Sequence, residues 1–228
     1  MVTVRPGRVE NREVPSFIYI TGCDGTGKTT QARLLIDHLQ ALGVQPKHLW
    51  LRFPFLLSIP LLAYARWRGY SWYEEADGTR HGYWEFQNSS LLRALLPWTL
   101  LVDAALAALI KIYVPLALGR TIVCERFALD MVVDLSVAFK EVGFYRRLPG
   151  KLYRQLLPKD TRVMILDLDV DTIRARRQDL RVDRRLEDRL QSFRTISSAY
   201  ALPVLPSTRP AAEVHRSLCE QISTTSEG

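Results

Sequence analysis

The stretch Gly22-Cys-Asp-Gly-Thr-Gly27-Lys28-Thr29 constrains this chain more than any other. It fits G-x-x-x-x-G-K-[ST], a pattern that needs a strand before it and a helix after it. Both are predicted. SFIYIT (16–21) is a short apolar, β-rich run bounded by Gly22. From Thr30 to Leu42 the apolar residues fall at 32, 34, 35, 36, 39, 41 and 42, a helical spacing that Gly43 ends. Gly22, Gly25 and Gly27 let successive backbone N–H groups turn inward onto phosphate oxygens, and the helix aims its positive end at the same place. Lys28 is positioned to reach the β- and γ-phosphates, and the Thr29 hydroxyl to hold Mg²⁺. Thr26 and Thr30 complete the expected cradle. The expected ligand is a nucleoside triphosphate, ATP, with Mg²⁺.

The rest of the chain alternates strand and helix. Lys47–Phe53 reads as a second strand closed by Pro54, 121–124 as a third, 162–168 as a fourth and 202–205 as a fifth. Helices are expected over 128–139, over 171–200 with an interruption, and over 211–222. This order predicts an α/β fold: a P-loop NTPase-type parallel five-stranded sheet with helices on both faces and a short Arg-rich lid. One domain is expected over 16–222, with the lid near 174–190. An atypical aromatic insertion occupies 55–90, where no element is assigned. Residues 1–15 and 223–228 read as flexible tails.

Composition removes other classes. At 47% hydrophobic and 24% charged the chain is of average globular make-up, which excludes disorder for its bulk. Cys23, Cys124 and Cys219 are odd in number and widely spaced, which speaks against a disulfide framework or a zinc site. No apolar leader opens the chain, so a cytoplasmic protein is expected. The apolar run 91–119 carries Asp103 and Lys111 near its middle and is bracketed by Pro97 and Pro115. It reads as a long helix buried on most sides, with no membrane span.

Charge locates the chemistry. The chain has a formal charge of +7. Residues 174–194 hold eight arginines against four acids, so much of the excess lies in one window. An arginine-rich lid there would close on nucleotide phosphates, exclude water and stabilise transferring charge. Arg52 ends the second strand and could clamp an acceptor phosphate, because ligands of open parallel sheets bind beyond the carboxyl ends of strands. Glu125 and Arg126 follow the third strand, as a Mg²⁺ group and a second clamp. These features favour a small-molecule kinase over a motor or a GTPase.

Here the sequence resembles the thymidylate kinase family of nucleoside monophosphate kinases. The carriers are GCDGTGKTT (22–30), LRFP (51–54), Glu125–Phe127, LDLDVD (166–171), DRRLE (183–187) and Ser198–Tyr200. The resemblance implies ATP-dependent phosphorylation of a (deoxy)nucleoside monophosphate, dTMP foremost, by a homodimer packed through long helices. It implies that Asp24 contacts the sugar 3′-hydroxyl, that Arg52 and Arg126 hold the acceptor phosphate with Phe53 beside them, and that Arg181, Arg184 or Arg185 stabilises the transferred group. The base pocket departs from the family. Its stacking Phe falls on Leu101, a helix Arg on Ala105 and a Ser on Asp130, while Glu125 stands where Asp is usual. Tyr83, Trp84, Phe86 and Trp98 are candidate replacement rings, with core packing the stronger reading for each. A deoxynucleoside kinase is the nearest alternative, but it needs a carboxylate base after the second strand, where this chain has Arg52. A P-loop ATPase or binding protein acting on nucleic acid is the other; outside 174–194 the net charge is only about +3, which disfavours a nucleic-acid partner.

Overall fold

The computed structural model describes residues 14–76 and 78–224. Five strands form one parallel sheet: β1 (Phe17–Gly22), β2 (Lys47–Trp50), β5 (Ile122–Glu125), β6 (Thr161–Asp167) and β7 (Val204–Pro206). Their spatial order is β2-β5-β1-β6-β7. β1 is buried at every position between β5 and β6. A central parallel strand is covered on both faces and needs an unbroken apolar run, which FIYI supplies. Phe17 and Tyr19 point into the larger core, and Ile18 and Ile20 into the smaller one.

Helices α1 (Lys28–Ala41) and α9 (Ala211–Thr224) close the smaller core. The larger core is packed by α3 (Ser90–Ala108), α5 (Ala128–Ala138), α6 (Leu148–Gln155) and α8 (Leu186–Ala199). α5, buried along nearly its whole length, is the central helix of that face. The expected α/β architecture is thus present, with helices on both faces of five parallel strands. Because the strands are parallel, the carboxyl ends of β1, β2 and β5 open on one edge. The chain passes from β1 across β5 to β2 and later returns to β6 on the other side, so the strand order reverses at β1.

Three sequence expectations change. The long apolar helix is buried on one side only. Leu92, Leu96, Leu100, Ala104, Ala108 and Ile112 face the core, while Leu91, Leu95, Trp98, Val102, Leu106 and Ile110 face outward. Pro97 lies inside α3 and is buried there, so it does not bracket the helix. A π-helical turn (Leu109–Tyr113) joins α3 to α4 (Val114–Ala117). Among the described residues, Ser90–Ala117 is one helix long and apolar enough, by length and composition, to cross a membrane. Its acid has a packing role. Asp103 accepts the N–H groups of Leu56, Leu57 and Ser58 at 2.8–3.0 Å and the Ser58 hydroxyl at 2.6 Å, anchoring the chain that enters α2 (Ile59–Trp67).

The aromatic insertion has regular structure. After α2 comes an antiparallel hairpin, β3 (Ser71–Ala76) and β4 (Thr79–Trp84), paired Ser71↔Trp84 through Ala76↔Thr79 and separate from the main sheet. Asp77-Gly78 in the sequence is a strong two-residue hairpin signal. The flanking residues blur it, because SWYEEA and TRHGYW do not alternate apolar and polar cleanly. Of the expected tails, residues 1–13 and 225–228 lie outside the described residues. The last helix runs on to Thr224, so 223–224 are helical. The interrupted 171–200 helix resolves into α7 (Val170–Arg176), a 3₁₀ turn (Gln178–Leu180) and α8.

Candidate active site

The glycine-rich loop leaves β1 at Gly22, whose φ is +135°. A Cβ there would sit 2.3 Å from the Leu166 carbonyl oxygen of the neighbouring strand β6, so no side chain fits. At Gly25 (φ +85°) a Cβ would come within 2.9 Å of Ile173 and 3.3 Å of Leu180, so the loop lies directly against α7 and the 3₁₀ turn after it. Thr26 donates its hydroxyl to the Cys23 carbonyl at 2.8 Å and is buried. It braces the loop from beneath, as does Gly22, and neither lines the cleft. Asp24, Gly25, Gly27, Lys28, Thr29 and Thr30 do line it.

Lys28 is buried and donates from Nζ to the carbonyls of Gly22 (2.8 Å) and Cys23 (2.7 Å). Burial pushes its pKa below the ordinary lysine value, while Asp130, Cys23 and Glu125 push it back up. An incoming phosphate would compete with those two carbonyls for the same donors. The next residue points the other way. Thr29 Oγ1 donates to Glu125 Oε2 at 2.7 Å, joining the loop to the end of β5. Glu125 is buried, and its second oxygen lies 2.7 Å from His48 Nε2 on β2. A hydroxyl and a carboxylate converging in this way are hard oxygen donors, the ligand chemistry that Mg²⁺ takes. The two expected metal residues are therefore together, and His48 is an orienting partner that sequence reasoning missed.

Arg126 sits at the turn from β5 into α5 with φ +60°, a left-handed conformation uncommon for a residue with a side chain. Its guanidinium meets the carboxylate of Asp24 and lies 3.8 Å from Asp130. Asp130 is buried and accepts from Tyr19 Oη (2.5 Å), Thr21 Oγ1 (2.8 Å) and the Phe127 N–H (3.0 Å). It fixes the turn that aims Arg126. One turn further along α5, Asp134 holds Arg52 at 2.8 Å from Nη2 and 3.0 Å from Nε. The two expected clamps thus enter the cleft from β5 and β2, each steadied by an α5 acid.

In the segment expected to form a lid, the arginines that face the cleft are not the three named from the sequence. Arg181 bonds the Arg174 carbonyl (3.2 Å), Arg184 lies 3.5 Å from Glu74, and Arg185 reaches Glu85 (3.1 Å) and the Val137 carbonyl (3.4 Å). Arg181 turns back onto its own segment, Arg184 toward the hairpin and Arg185 toward Glu85 and α5, and none lines the cleft. Arg176, Arg177 and Arg189 do. Arg189 is paired with Asp183 at the floor, and Arg177 with Asp179 at 2.6 Å. All six belong to the basic window; which of them face the loop depends on how α7 and α8 pack, which composition does not encode.

Around the expected base pocket, Tyr83 and Phe86 follow the core-packing reading, whereas Phe53 and Trp98 depart from theirs. Tyr83, Phe86 and Phe53 are buried, and Phe53 packs against Phe55 and Trp84, 5.8 and 5.4 Å away between ring centres. Phe53 is thus part of the core and does not line the cleft. Trp98 lies on the outward stripe of α3, and Leu101 is in the core. The rings lining the cleft are Trp50, 57% exposed at the end of β2, and His81 of the hairpin, beside Arg80 and Gly82. Trp50 could have been found from its place at a strand's carboxyl end. The hairpin wall could not, since its element was not recognised.

Together these groups line a cavity of about 710 Å³, within the range of small-molecule sites. Lys28, Arg52, Arg80, Arg126, Arg176, Arg177 and Arg189 face three acids, Asp24, Asp179 and Asp183. That surplus suits a polyanion carrying several phosphates. No protein-family profile and no curated protein matches the sequence. Among solved structures the chain is similar to a thymidylate kinase from Ehrlichia chaffeensis, with a TM-score of 0.50 and 17% identity over 90% of this chain and 97% of that one. The likeness is one of fold: a five-stranded parallel sheet with helices on both faces.

Proposed function

We propose that this protein transfers the terminal phosphoryl group of ATP to a (deoxy)nucleoside monophosphate, with dTMP the first candidate acceptor. The observation that supports this reading most directly is the pair Arg52 and Arg126, entering from two strand ends into the cleft that holds Lys28. An ionised acceptor phosphate needs cations to hold it and no base to deprotonate it. The end of β2 presents Trp50 and Arg52, where a nucleoside kinase would need a carboxylate.

In this reading the backbone N–H groups of 24–30 and Lys28 hold the donor phosphates. Arg52 and Arg126 hold the acceptor, and Arg177 and Arg189 offset the charge that develops between them. Thr29 and Glu125 would hold Mg²⁺, which would supply neutralising charge beside the phosphates. Asp24 is engaged with Arg126 and Lys28, so a sugar hydroxyl would bond it from within that ion cluster. Trp50 offers a stacking face for the base. The outward stripe of α3 is the surface for a second copy of the chain, in a homodimer.

A coupled ADP-release screen across all monophosphates and deoxynucleosides tests this. Turnover with a monophosphate is expected. Turnover only with nucleosides, or none with any acceptor, would refute it. Sedimentation of the Leu95→Asp/Trp98→Asp double variant tests the dimer: a shift to monomer is expected, and an unchanged mass would refute this interface.

A further inference from the structure

Away from the cleft, α9 packs on α1 through an apolar seam. Ala32, Leu35 and Leu39 meet Val214, Leu218 and Ile222, and Gln31 Nε2 donates to the Ala211 carbonyl at 2.9 Å. Three ligand-type side chains gather at the rim of that seam. His38 comes from α1; His215 and Cys219, one helical turn apart, come from α9. The imidazole centroids are 5.7 Å apart. Cys219 Sγ lies 3.5 Å from His215 Nε2. One donor atom from each residue falls within 4.8 Å of the other two. His38 is about 15 Å along α1 from Lys28, at 1.5 Å per residue, so this cluster is distinct from the phosphate site.

We propose that His38, His215 and Cys219 form a binding site for a borderline-soft divalent transition ion of the zinc class. The donor set makes the choice. Two imidazole nitrogens and a sulfur suit Zn²⁺ or Co²⁺, whereas Mg²⁺ takes oxygen ligands. A tetrahedral ion with bonds of about 2.0–2.3 Å sets its ligand atoms about 3.3–3.6 Å apart. The His215–Cys219 edge already has that length. The longest remaining edge has to close by little more than an ångström, which an exposed His38 side chain supplies by a small rotation. A water fills the fourth position at the open rim. Cysteine spacing along the chain spoke against zinc; the site exists because two helices distant in sequence are packed together. A bound ion would pin the last helix to the helix that carries Lys28 and Thr29.

The test uses the full chain, stripped with a chelator and then dialysed against Zn²⁺ or Co²⁺. Elemental analysis is expected to find about one ion per chain above that held by the His38→Ala/His215→Ala/Cys219→Ser triple variant. Co²⁺ is expected to give thiolate-to-metal charge-transfer absorption that Cys219→Ser abolishes, and His38→Ala is expected to weaken binding by roughly tenfold or more. Saturating Zn²⁺ should raise the unfolding midpoint of the wild type and leave the triple variant unmoved. Lys28→Ala should keep the ion, which separates this site from the phosphoryl-transfer reading. Equal metal in wild type and triple variant would overturn the proposal. So would a thiolate band that survives Cys219→Ser, since it would place the ion on Cys23 or Cys124. The three residues lie on the rim, and far-UV circular dichroism of the triple variant verifies that it folds.

Discussion

Gly22→Ala tests the joint between sheet and loop. The native φ of +135° is a conformation that side-chain-bearing residues rarely adopt, with a strain of about 1–3 kcal/mol. The new methyl would stand 2.3 Å from the Leu166 carbonyl oxygen, where Cβ contacts keep at least 3.0 Å. That oxygen belongs to backbone, so β1 and β6 must separate at the Gly22↔Leu166 position by roughly 0.7 Å. Leu166 is itself core, and overpacking of this kind costs about 1–3 kcal/mol more. The expected loss is about 3–5 kcal/mol, a large share of the stability of a domain this size. Urea unfolding followed by far-UV circular dichroism measures it. Gly69→Ala is the control: φ is +74°, but nothing lies within 4 Å of the added Cβ, so only about 1–2 kcal/mol is expected. Because the Gly22 carbonyl also accepts from Lys28, the folded fraction of Gly22→Ala should bind ATP more weakly. A loss below about 1 kcal/mol, or equal effects at the two glycines, would refute the reasoning.

Arg126→Ala is expected to raise the monophosphate KM and lower kcat by about 10²–10³, read by steady-state kinetics; an unchanged rate removes it from the site. Arg177→Ala and Arg189→Ala should lower kcat, whereas Arg181→Ala, which points away from the cleft, should leave it within about twofold. The reverse ranking would return the role to the arginines first expected. Asp103→Asn should destabilise the fold by about 2–4 kcal/mol, because the carboxylate is the shared acceptor of three backbone N–H groups and the Ser58 hydroxyl. The pH dependence has a definite sign. Burial alone would raise this carboxyl, but the Ser58 hydroxyl and the three N–H bonds outweigh it and hold it below the ordinary aspartate value. The wild type's advantage over Asp103→Asn is therefore complete above about pH 4 and shrinks as pH falls further. Denaturant midpoints of both proteins at pH 7 and pH 3 check this; an equal gap at both refutes it.

The amino-acid sequence alone determined the sheet and the loop. β1 must be buried on both faces and spells that out in FIYI; GCDGTGKTT admits few backbone paths; and the strand ends that present Arg52, Glu125 and Arg126 follow from counting along the chain. These are local properties, carried by periodicity and by residues whose chemistry fits few other uses. Tertiary structure decided what depends on which face turns inward. Eight arginines share one window, yet α7 and α8 set Arg177 and Arg189 into the cleft and turn Arg181, Arg184 and Arg185 out of it. Phe53 looks like a substrate contact and is core, while Trp50, three residues earlier, lines the cavity. The hairpin wall was hidden because its strands do not alternate cleanly. His38, His215 and Cys219 are far apart in sequence and meet only because α9 returns to pack on α1, and no local pattern records a contact that long-range packing creates.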